Sequence, residues 1–214
     1  MSEESPTGLM LFKRVVCFLL RTLTRMEIYG RENVPASGPV LLIMNHLHWS
    51  DPLIGFCLVK RKAHVFAADK WNDVPVIGHF LRWTGQAIFV ARGEVDRKAL
   101  GQALAVLKAG GLLGIAPEGT RSKTGALQEA HGGTAYLASR TGATIVPVAI
   151  MGQEKAIASL KRLRRPRVVV VVGQAFQLPD TPNRAKGEQL DAYTDEIMYR
   201  LAALLAPPYR GVYA

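Results

Sequence analysis

The sequence predicts a single α/β domain in which a mixed central sheet carries helices on both faces and an amphipathic helix stands at the N-terminus. Short apolar runs, typical of buried strands, alternate along the chain with longer segments of helical periodicity. The chain has 214 residues, 49% of them hydrophobic, which suffices for one substantial core but is short for two independent domains. We divide it into an N-terminal amphipathic segment, 1–35, and a main domain, 36–214.

The N-terminal segment is both apolar and basic. Residues 9–26 are rich in Leu, Phe and Val, and they include four basic residues: Lys13, Arg14, Arg21 and Arg25. These charges leave no uncharged run near the roughly 20 residues that a bilayer-spanning helix needs. We expect a helix that lies in a membrane interface, with its basic side chains reaching lipid phosphates. The alternative is an ordinary helix packed on the core.

Six short apolar runs predict the strands: Val40–Met44, His64–Ala67, Ala87–Ala91, Leu112–Ala116, Thr144–Ile150 and Val168–Val172. The helices are predicted at Leu9–Met26, from Pro52 onward, and at Arg97–Ala109, Thr134–Arg140 and Glu188–Leu205. Polar residues follow several strands directly, so we expect them to meet at the carboxyl edge of the sheet, where open α/β sheets bind ligands.

The first of these polar stretches, 45–51, reads Asn-His-Leu-His-Trp-Ser-Asp. Its His46 is a candidate general base, and Asp51 is the carboxylate that could fix the histidine tautomer. The spacing of these two residues alone is common by chance. The alternatives are a helix N-cap role for Asp51, because Pro52 follows at the favoured first helical position, and a structural role for His46.

The second stretch, 117–122, reads Pro-Glu-Gly-Thr-Arg-Ser. Its four central residues are candidate ligands of a substrate that carries phosphate: Glu118, Gly119, Thr120 and Arg121. Arg121 is the leading phosphate ligand, Gly119 permits close backbone approach, and Glu118 could organise the loop.

Together these stretches resemble the Asn-His-x4-Asp and Pro-Glu-Gly-Thr-Arg-Ser blocks of the glycerolipid acyltransferases, the lysophosphatidic acid acyltransferase family. Residues 85–92, Gly-Gln-Ala-Ile-Phe-Val-Ala-Arg, resemble that family's Gly-x-x-Phe-x-x-Arg block, and 145–150 resemble its Val-Pro-Val block. The four blocks stand in the family's order over about half of the chain. Two departures stand out: His48 occupies a position that is often serine in the family, and Asp69 occupies the expected lysine position, with Lys70 one residue on.

The resemblance implies transfer of a fatty acyl chain from a thioester donor, acyl-CoA or acyl carrier protein, to 1-acylglycerol 3-phosphate, with phosphatidic acid as product and no metal or cofactor. His46 would be the base and Asp51 its partner, and Arg121 would bind the acceptor phosphate with help from Arg92 and Lys70. Another lysophospholipid or glycerol 3-phosphate is the alternative acceptor, and a non-enzymatic basic membrane-binding module is the alternative function.

The composition limits the classes of binding partner that are expected. The net charge is +10 and the pI is near 9.9, which favours an anionic partner such as a membrane surface with anionic lipids. No helix-turn-helix, zinc-finger or aromatic RNA-binding motif is present, which makes nucleic acid the weaker choice, and we expect no nucleic-acid partner. Cys17 and Cys57 show no metal-ligand spacing, and we expect unpaired, buried thiols in a reducing compartment. Without a recognisable secretory signal, we expect peripheral or monotopic attachment to the cytoplasmic face of the membrane.

Overall fold

The computed structural model describes residues 7–75, 78–79, 81, 86–90, 96–179 and 185–214. Within them one sheet contains seven strands: β1 (Arg25–Tyr29), β2 (Val40–Met44), β3 (Ala63–Ala68), β4 (Ala87–Val90), β5 (Leu112–Ile115), β6 (Thr144–Met151) and β7 (Arg167–Val172). The spatial order is β1-β7-β6-β2-β5-β3-β4. Neighbouring strands run parallel except for the antiparallel pair β6 and β7, so the predicted mixed sheet is confirmed.

The described helices are α1 (Thr7–Leu23), α2 (Asp51–Leu58), α3 (Arg97–Lys108), α4 (Gly133–Thr141), α5 (Ala156–Lys161) and α6 (Glu188–Ala202). The helix predicted up to Met26 is too long, because Met26 belongs to β1 and pairs with Val168 of β7. Strand β1 was not predicted. It lies within segment 1–35, so the division at residue 35 stays a prediction about function and does not mark the edge of the sheet.

Strand β2 lies near the middle of the sheet and is buried on both faces, as its unbroken apolar run predicts for a parallel strand. Because side chains alternate along a strand, Leu41 and Ile43 pack toward α3, α4 and α6, whereas Val40, Leu42 and Met44 pack toward α2. The helices therefore cover both faces of the sheet, as predicted.

Helix α1 packs on α2 through one of its faces. Leu9 is fully buried, and Leu20 packs against the core that α2 also joins. The Lys13 ammonium donates a hydrogen bond to the Val59 carbonyl and lies 5.0 Å from the centre of the Phe56 ring. Burial and the nearby charge of Arg31 lower the pKa of Lys13. This face of α1 is therefore packed on the core, as the alternative prediction of an ordinary N-terminal helix expected.

The opposite face of α1 is apolar yet exposed. Five large side chains there have 47–68% of their surface accessible: Leu11, Val15, Phe18, Leu19 and Leu23. We call these five residues the α1 apolar face. Monomeric soluble proteins seldom expose contiguous apolar surface of this kind without a binding role. Among the residues that the structure describes, no helix is both long and apolar enough to span a bilayer.

The two cysteines form a disulfide, which corrects the prediction of unpaired thiols. Packing of α1 on α2 brings Cys17 and Cys57 to a Cα–Cα distance of 5.7 Å, within the range that a disulfide requires. The two cysteines are 40 positions apart in the chain, and nothing in their local sequence indicates that they pair. The argument for a reducing compartment from unpaired cysteines therefore no longer holds.

Candidate active site

Asn45 directly follows strand β2, and its buried side chain fixes the position of the chain where the site begins. Its Nδ2 donates to the carbonyl of Ile150 and its Oδ1 accepts from the N–H of Ile150, both at 2.8 Å. This pair locks the end of β2 to the end of β6. Asn45 was not among the predicted site residues, although an amide residue directly between a buried strand and a candidate base was the available signal.

His46 and Asp51 are brought together as predicted. The Nδ1–H of His46 donates to Oδ2 of Asp51 at 2.9 Å, and the Asp51 side chain is fully buried whereas 21% of the His46 side chain is accessible. With Nδ1 carrying the proton, Nε2 has a free lone pair. Nε2 has no hydrogen-bond partner within the described ranges. The pair is therefore arranged as a general base with its orienting carboxylate.

Asp51 also holds the turn that leads from His46 to α2. The same Oδ2 atom accepts the backbone N–H groups of Leu47 and His48, each at 2.8 Å. Asp51 is the first residue of α2, and Ser50 takes the N-cap position. The alternative of an N-cap role for Asp51 is therefore wrong, because its carboxylate turns back to the histidine. A carboxylate in the first turn of a helix is also favoured by the helix dipole.

The far end of α2 carries the opposite charge. Arg31 donates from Nε to the Leu58 carbonyl at 3.0 Å and from Nη2 to the Cys57 carbonyl at 3.1 Å. Together with Lys13 on Val59, these groups satisfy carbonyls that a helix C-terminus leaves without partners. Helix α2 is thus held at both ends, which fixes the position of Asp51.

Glu118 is buried, with 1% of its surface accessible, and it contacts the backbone. Its Oε1 accepts the N–H of His46 and its Oε2 accepts the N–H of Gln128, both at 3.0 Å. Burial raises the pKa of Glu118, and the two backbone hydrogen bonds partly offset this rise. The geometry supports positioning of His46 more directly than the substrate contact that the sequence suggested.

Gly119 follows with a φ of +67°, which favours glycine. A Cβ at this position would lie 3.0 Å from Cδ2 of His131, and the Gly119 N–H donates to the Ala116 carbonyl at 3.0 Å. The neighbour that a side chain here would meet is His131, and close approach of a substrate phosphate to the Gly119 backbone stays a prediction. Thr120 is exposed and lines an open cleft of about 510 Å³ beside His131 and Val212. His46 and Asp51 do not line this cleft, so we do not place the reaction in it.

Arg121 is exposed next to the His46 turn. The following residue, Ser122, donates its N–H to the His46 carbonyl at 2.8 Å, which joins the two polar stretches. The Ser122 hydroxyl donates to the Ala126 carbonyl at 2.6 Å and stabilises the loop. In the part of the chain that the structure describes, Arg121 has no hydrogen-bond or salt-bridge partner. Its guanidinium is thus available to bind an anion.

His48, the departure from the family pattern, lies beside the pair. Its Nδ1 and the Ser50 hydroxyl are 2.9 Å apart. Burial lowers the pKa of His48; Arg121 lowers it further, and Asp51 raises it. His48 is therefore mostly neutral at pH 7, and it contributes no full positive charge to a phosphate site.

Of the two remaining candidates, only Lys70 lies within the described residues, and it is less closely connected to the site. Lys70 follows β3 at the carboxyl edge of the sheet, exposed, with its ammonium 5.4 Å from the centre of the Trp71 ring. This position is on the same edge as His46, but β5 lies between β3 and β2. Arg92 lies outside the described residues.

Comparison with known proteins supports the resemblance. The family model described as Acyltransferase matches residues 25–151, which include all four sequence blocks. The chain belongs to the acyltransferase family. Its similarity to individual acyltransferases is lower. It is 23% identical over 180 residues to the 1-acyl-sn-glycerol-3-phosphate acyltransferase of Bacillus subtilis, covering 84% of this chain and 87% of that protein.

A second relative matches over a shorter region. The 1-acyl-sn-glycerol-3-phosphate acyltransferase of Borreliella burgdorferi is 30% identical over 128 residues, 59% of this chain, which spans about half (51%) of that acyltransferase. The crystal structure of the 1-acyl-sn-glycerophosphate (LPA) acyltransferase PlsC of Thermotoga maritima superimposes with a TM-score of 0.70 at 20% identity. The superposition covers 92% of this chain and 78% of PlsC. This likeness confirms the predicted α/β fold.

Proposed function

We propose that the protein is a 1-acylglycerol-3-phosphate O-acyltransferase that moves a fatty acyl chain from acyl-CoA or acyl carrier protein to 1-acylglycerol 3-phosphate, giving phosphatidic acid for phospholipid synthesis. The observation that carries the proposal is the 2.9 Å hydrogen bond between His46 and Asp51, with Nε2 unpartnered among the described residues and the exposed Arg121 in a loop that is hydrogen-bonded to His46. The names of the relatives and the family membership support the same reaction.

The chemistry requires one base and no covalent enzyme intermediate. Nε2 of His46 removes the proton from the free hydroxyl of the acceptor as its oxygen attacks the thioester carbonyl carbon. The tetrahedral intermediate then expels the thiolate, which takes the proton back from the imidazolium. Buried Asp51 stabilises the imidazolium and keeps the ring oriented.

Residues of the neighbouring loop would bind the acceptor. Arg121 is exposed and unpaired among the described residues, and its loop is fastened to His46 through Ser122, so a phosphate on Arg121 would lie near the base. Thr120 is exposed next to Arg121 and could add a hydrogen bond. Gly119 shapes the turn, Glu118 holds the backbone of His46, and Lys70 and Arg92 are outer candidates for the phosphate.

Membrane attachment is part of the proposal, because both lysophosphatidic acid and its product are lipids. The α1 apolar face would enter one leaflet, and Arg14 and Arg21 on the same helix are exposed and could reach lipid phosphates. Acyl-CoA and acyl carrier protein are intracellular donors, so we place the protein on the cytoplasmic face.

The test is release of free thiol from acyl-CoA by purified protein on liposomes, with and without 1-acylglycerol 3-phosphate. We expect acceptor-dependent release that falls about 10²–10⁴-fold in His46→Ala, since a positioned general base contributes this much to the rate. Thiol release that is the same with and without the acceptor would indicate a thioesterase. If no thiol is released, the assay is repeated with acyl carrier protein as donor, and failure there too would refute the proposal.

The same assay separates the acceptors. Glycerol 3-phosphate and a lysophospholipid with another headgroup are offered in competition with 1-acylglycerol 3-phosphate. Preference for either competitor would move the assignment to the alternative acceptor while leaving the roles of His46 and Asp51 in place.

A further inference from the structure

Leu163 stands in a conformation and an environment that the fold itself does not explain. It follows α5, its side chain is 97% exposed, and its φ is +53°. The Leu163 N–H donates to the Leu160 carbonyl at 2.9 Å and the Arg164 N–H to the Ser159 carbonyl at 3.0 Å. These two bonds form a Schellman motif, in which the residue at the position of Leu163 is usually glycine. A leucine here gains no packing and adopts an unfavourable backbone conformation.

The residues around Leu163 are basic. Four basic residues surround it in sequence, all of them exposed: Lys161, Arg162, Arg164 and Arg165. The Arg165 side chain is hydrogen-bonded within the protein, but the side chains of Lys161, Arg162 and Arg164 have no hydrogen-bond or salt-bridge partner in the residues that the structure covers. A segment that combines an exposed apolar side chain with unpaired basic side chains has the composition that is typical of insertion into an anionic lipid surface.

This segment is fastened to the end of α1. Nη2 of Arg165 donates to the carbonyls of Arg21 and Thr24, both at 2.7 Å. The N–H of Arg25 donates to the Pro166 carbonyl at 2.8 Å. Residues 161–166, which we call the Leu163 loop, are therefore hydrogen-bonded to the C-terminal end of α1, where Phe18, Leu19 and Leu23 are exposed.

The sheet topology puts this unit at the edge that carries the candidate active site. Because β7 runs antiparallel to β6, the connection between them leaves from the carboxyl end of β6, the same edge at which His46 follows β2. Strand β1 is parallel to β7, so the junction of α1 with β1 lies at this edge too. Two strand spacings, about 10 Å, separate β7 from β2 across the sheet.

We propose that the Leu163 loop inserts into the anionic leaflet of a phospholipid bilayer, with Leu163 entering the acyl region while Arg162 and Arg164 bind lipid phosphates. The loop and the α1 apolar face make one two-part membrane surface at the active-site edge. This inference deepens the membrane attachment in the proposed function by naming a second contact and its lipid charge.

Vesicle binding tests the proposal without any acyl transfer. The full-length protein is sedimented with vesicles of phosphatidylcholine, alone or mixed with phosphatidylglycerol. We expect Leu163→Gly to bind mixed vesicles about tenfold more weakly, because an apolar side chain is lost from the bilayer. Glycine fits the Schellman position, so this variant should keep or raise the melting temperature, and unfolding would not explain weaker binding.

Two further variants test depth and charge. In Leu163→Trp, vesicles should shift the added tryptophan emission to the blue, and brominated lipids should quench it beyond the quenching of the parent protein. The double variant R162Q/R164Q should lose about tenfold or more in binding to mixed vesicles and little on phosphatidylcholine alone. Lys108→Ala removes an exposed charge at the far end of α3, which precedes β5, and serves as the control for lost charge.

Two outcomes would overturn the inference. Leu163→Gly that binds mixed vesicles as tightly as the parent protein would show that the leucine does not enter lipid. If R162Q/R164Q binds vesicles like the parent protein but binds acyl carrier protein more weakly, the loop would be assigned to an acidic protein partner. Loss of thiol release in a protein that still binds vesicles through Leu163 would instead refute the proposed reaction and leave this inference standing.

Discussion

The turn from His46 to Asp51 and the Leu163 loop lie at the same edge of the sheet, yet they are built in opposite ways. In the turn, a buried carboxylate accepts three N–H groups and a second one, Glu118, accepts the N–H of His46. In the loop, Leu163 is almost fully exposed and Arg162 and Arg164 are unpaired among the described residues. Proton transfer needs groups held in place before the substrate arrives, whereas contact with a fluid bilayer needs exposed groups.

The largest expected effect comes from breaking the buried turn at its carboxylate. Asp51→Asn leaves the shape nearly unchanged but removes the charge that stabilises the His46 imidazolium. We expect turnover to fall about 10²–10⁴-fold, measured as acceptor-dependent thiol release. Asp195→Asn, an exposed carboxylate on α6, is the matched control and should stay near the parent rate. Equal turnover in both variants would remove Asp51 from the mechanism.

Glu118→Gln should weaken both catalysis and stability. The amide NH₂ faces one of the two backbone N–H groups that the carboxylate accepts, so one buried donor loses its partner, at a cost of about 1–3 kcal/mol in the free energy of unfolding. We expect kcat to fall about 10–100-fold through displacement of His46, with a smaller change in KM for the acceptor. A change in KM alone would indicate substrate contact instead. Glu188→Gln, at an exposed site, is the control.

The raised pKa of Glu118 also predicts that the stability of the folded protein depends on pH. Its folded-state pKa is above the usual 4.5, so the folded protein binds this proton more tightly than the unfolded chain. Stability from this group is therefore complete below pH 4.5 and is lost as pH rises through the raised pKa. Urea unfolding across this range should show the loss in the parent protein, and Glu118→Gln should not share it.

Arg121→Ala is expected to have an intermediate effect that is confined to binding. Loss of a charge-assisted hydrogen bond to the acceptor phosphate should raise the KM for 1-acylglycerol 3-phosphate about tenfold and leave the melting temperature unchanged. Lys108→Ala removes the same charge at the end of α3 and should leave KM as it is. An acceptor KM that is equal in the two variants would count against a phosphate role for Arg121.

The smallest effect should have the opposite sign. Leu163→Gly relieves the positive φ at an exposed position and should raise the free energy of unfolding by about 0.5–1 kcal/mol in urea titrations. Gly119→Ala introduces a side chain at a glycine with positive φ, against His131, and should destabilise the protein. A destabilised Leu163→Gly would mean that the leucine packs on the protein.

The sequence predicted the central sheet well, because continuous apolar runs such as Val40–Met44 have few other interpretations. It missed β1, because Glu27 and Arg25 break the apolar pattern and the partner strand β7 lies about 140 residues away. It brought His46 and Asp51 together through local spacing. It did not distinguish a buried Glu118 from a substrate ligand, because the partners of that carboxylate are backbone groups distant in the chain. The pairing of Cys17 with Cys57 depends on helix packing and was likewise invisible.

The disulfide between Cys17 and Cys57 closes a covalent ring that contains β1, β2, His46 and Asp51. A single peptide-bond cut anywhere between the two cysteines would leave both fragments joined and running as one band on a non-reducing gel. Closing a loop of this length lowers the entropy of the unfolded chain by an amount worth about 4 kcal/mol in a chain-entropy description. The thiol reductant in an assay buffer is therefore an experimental variable, because it acts on the same part of the chain that carries the base.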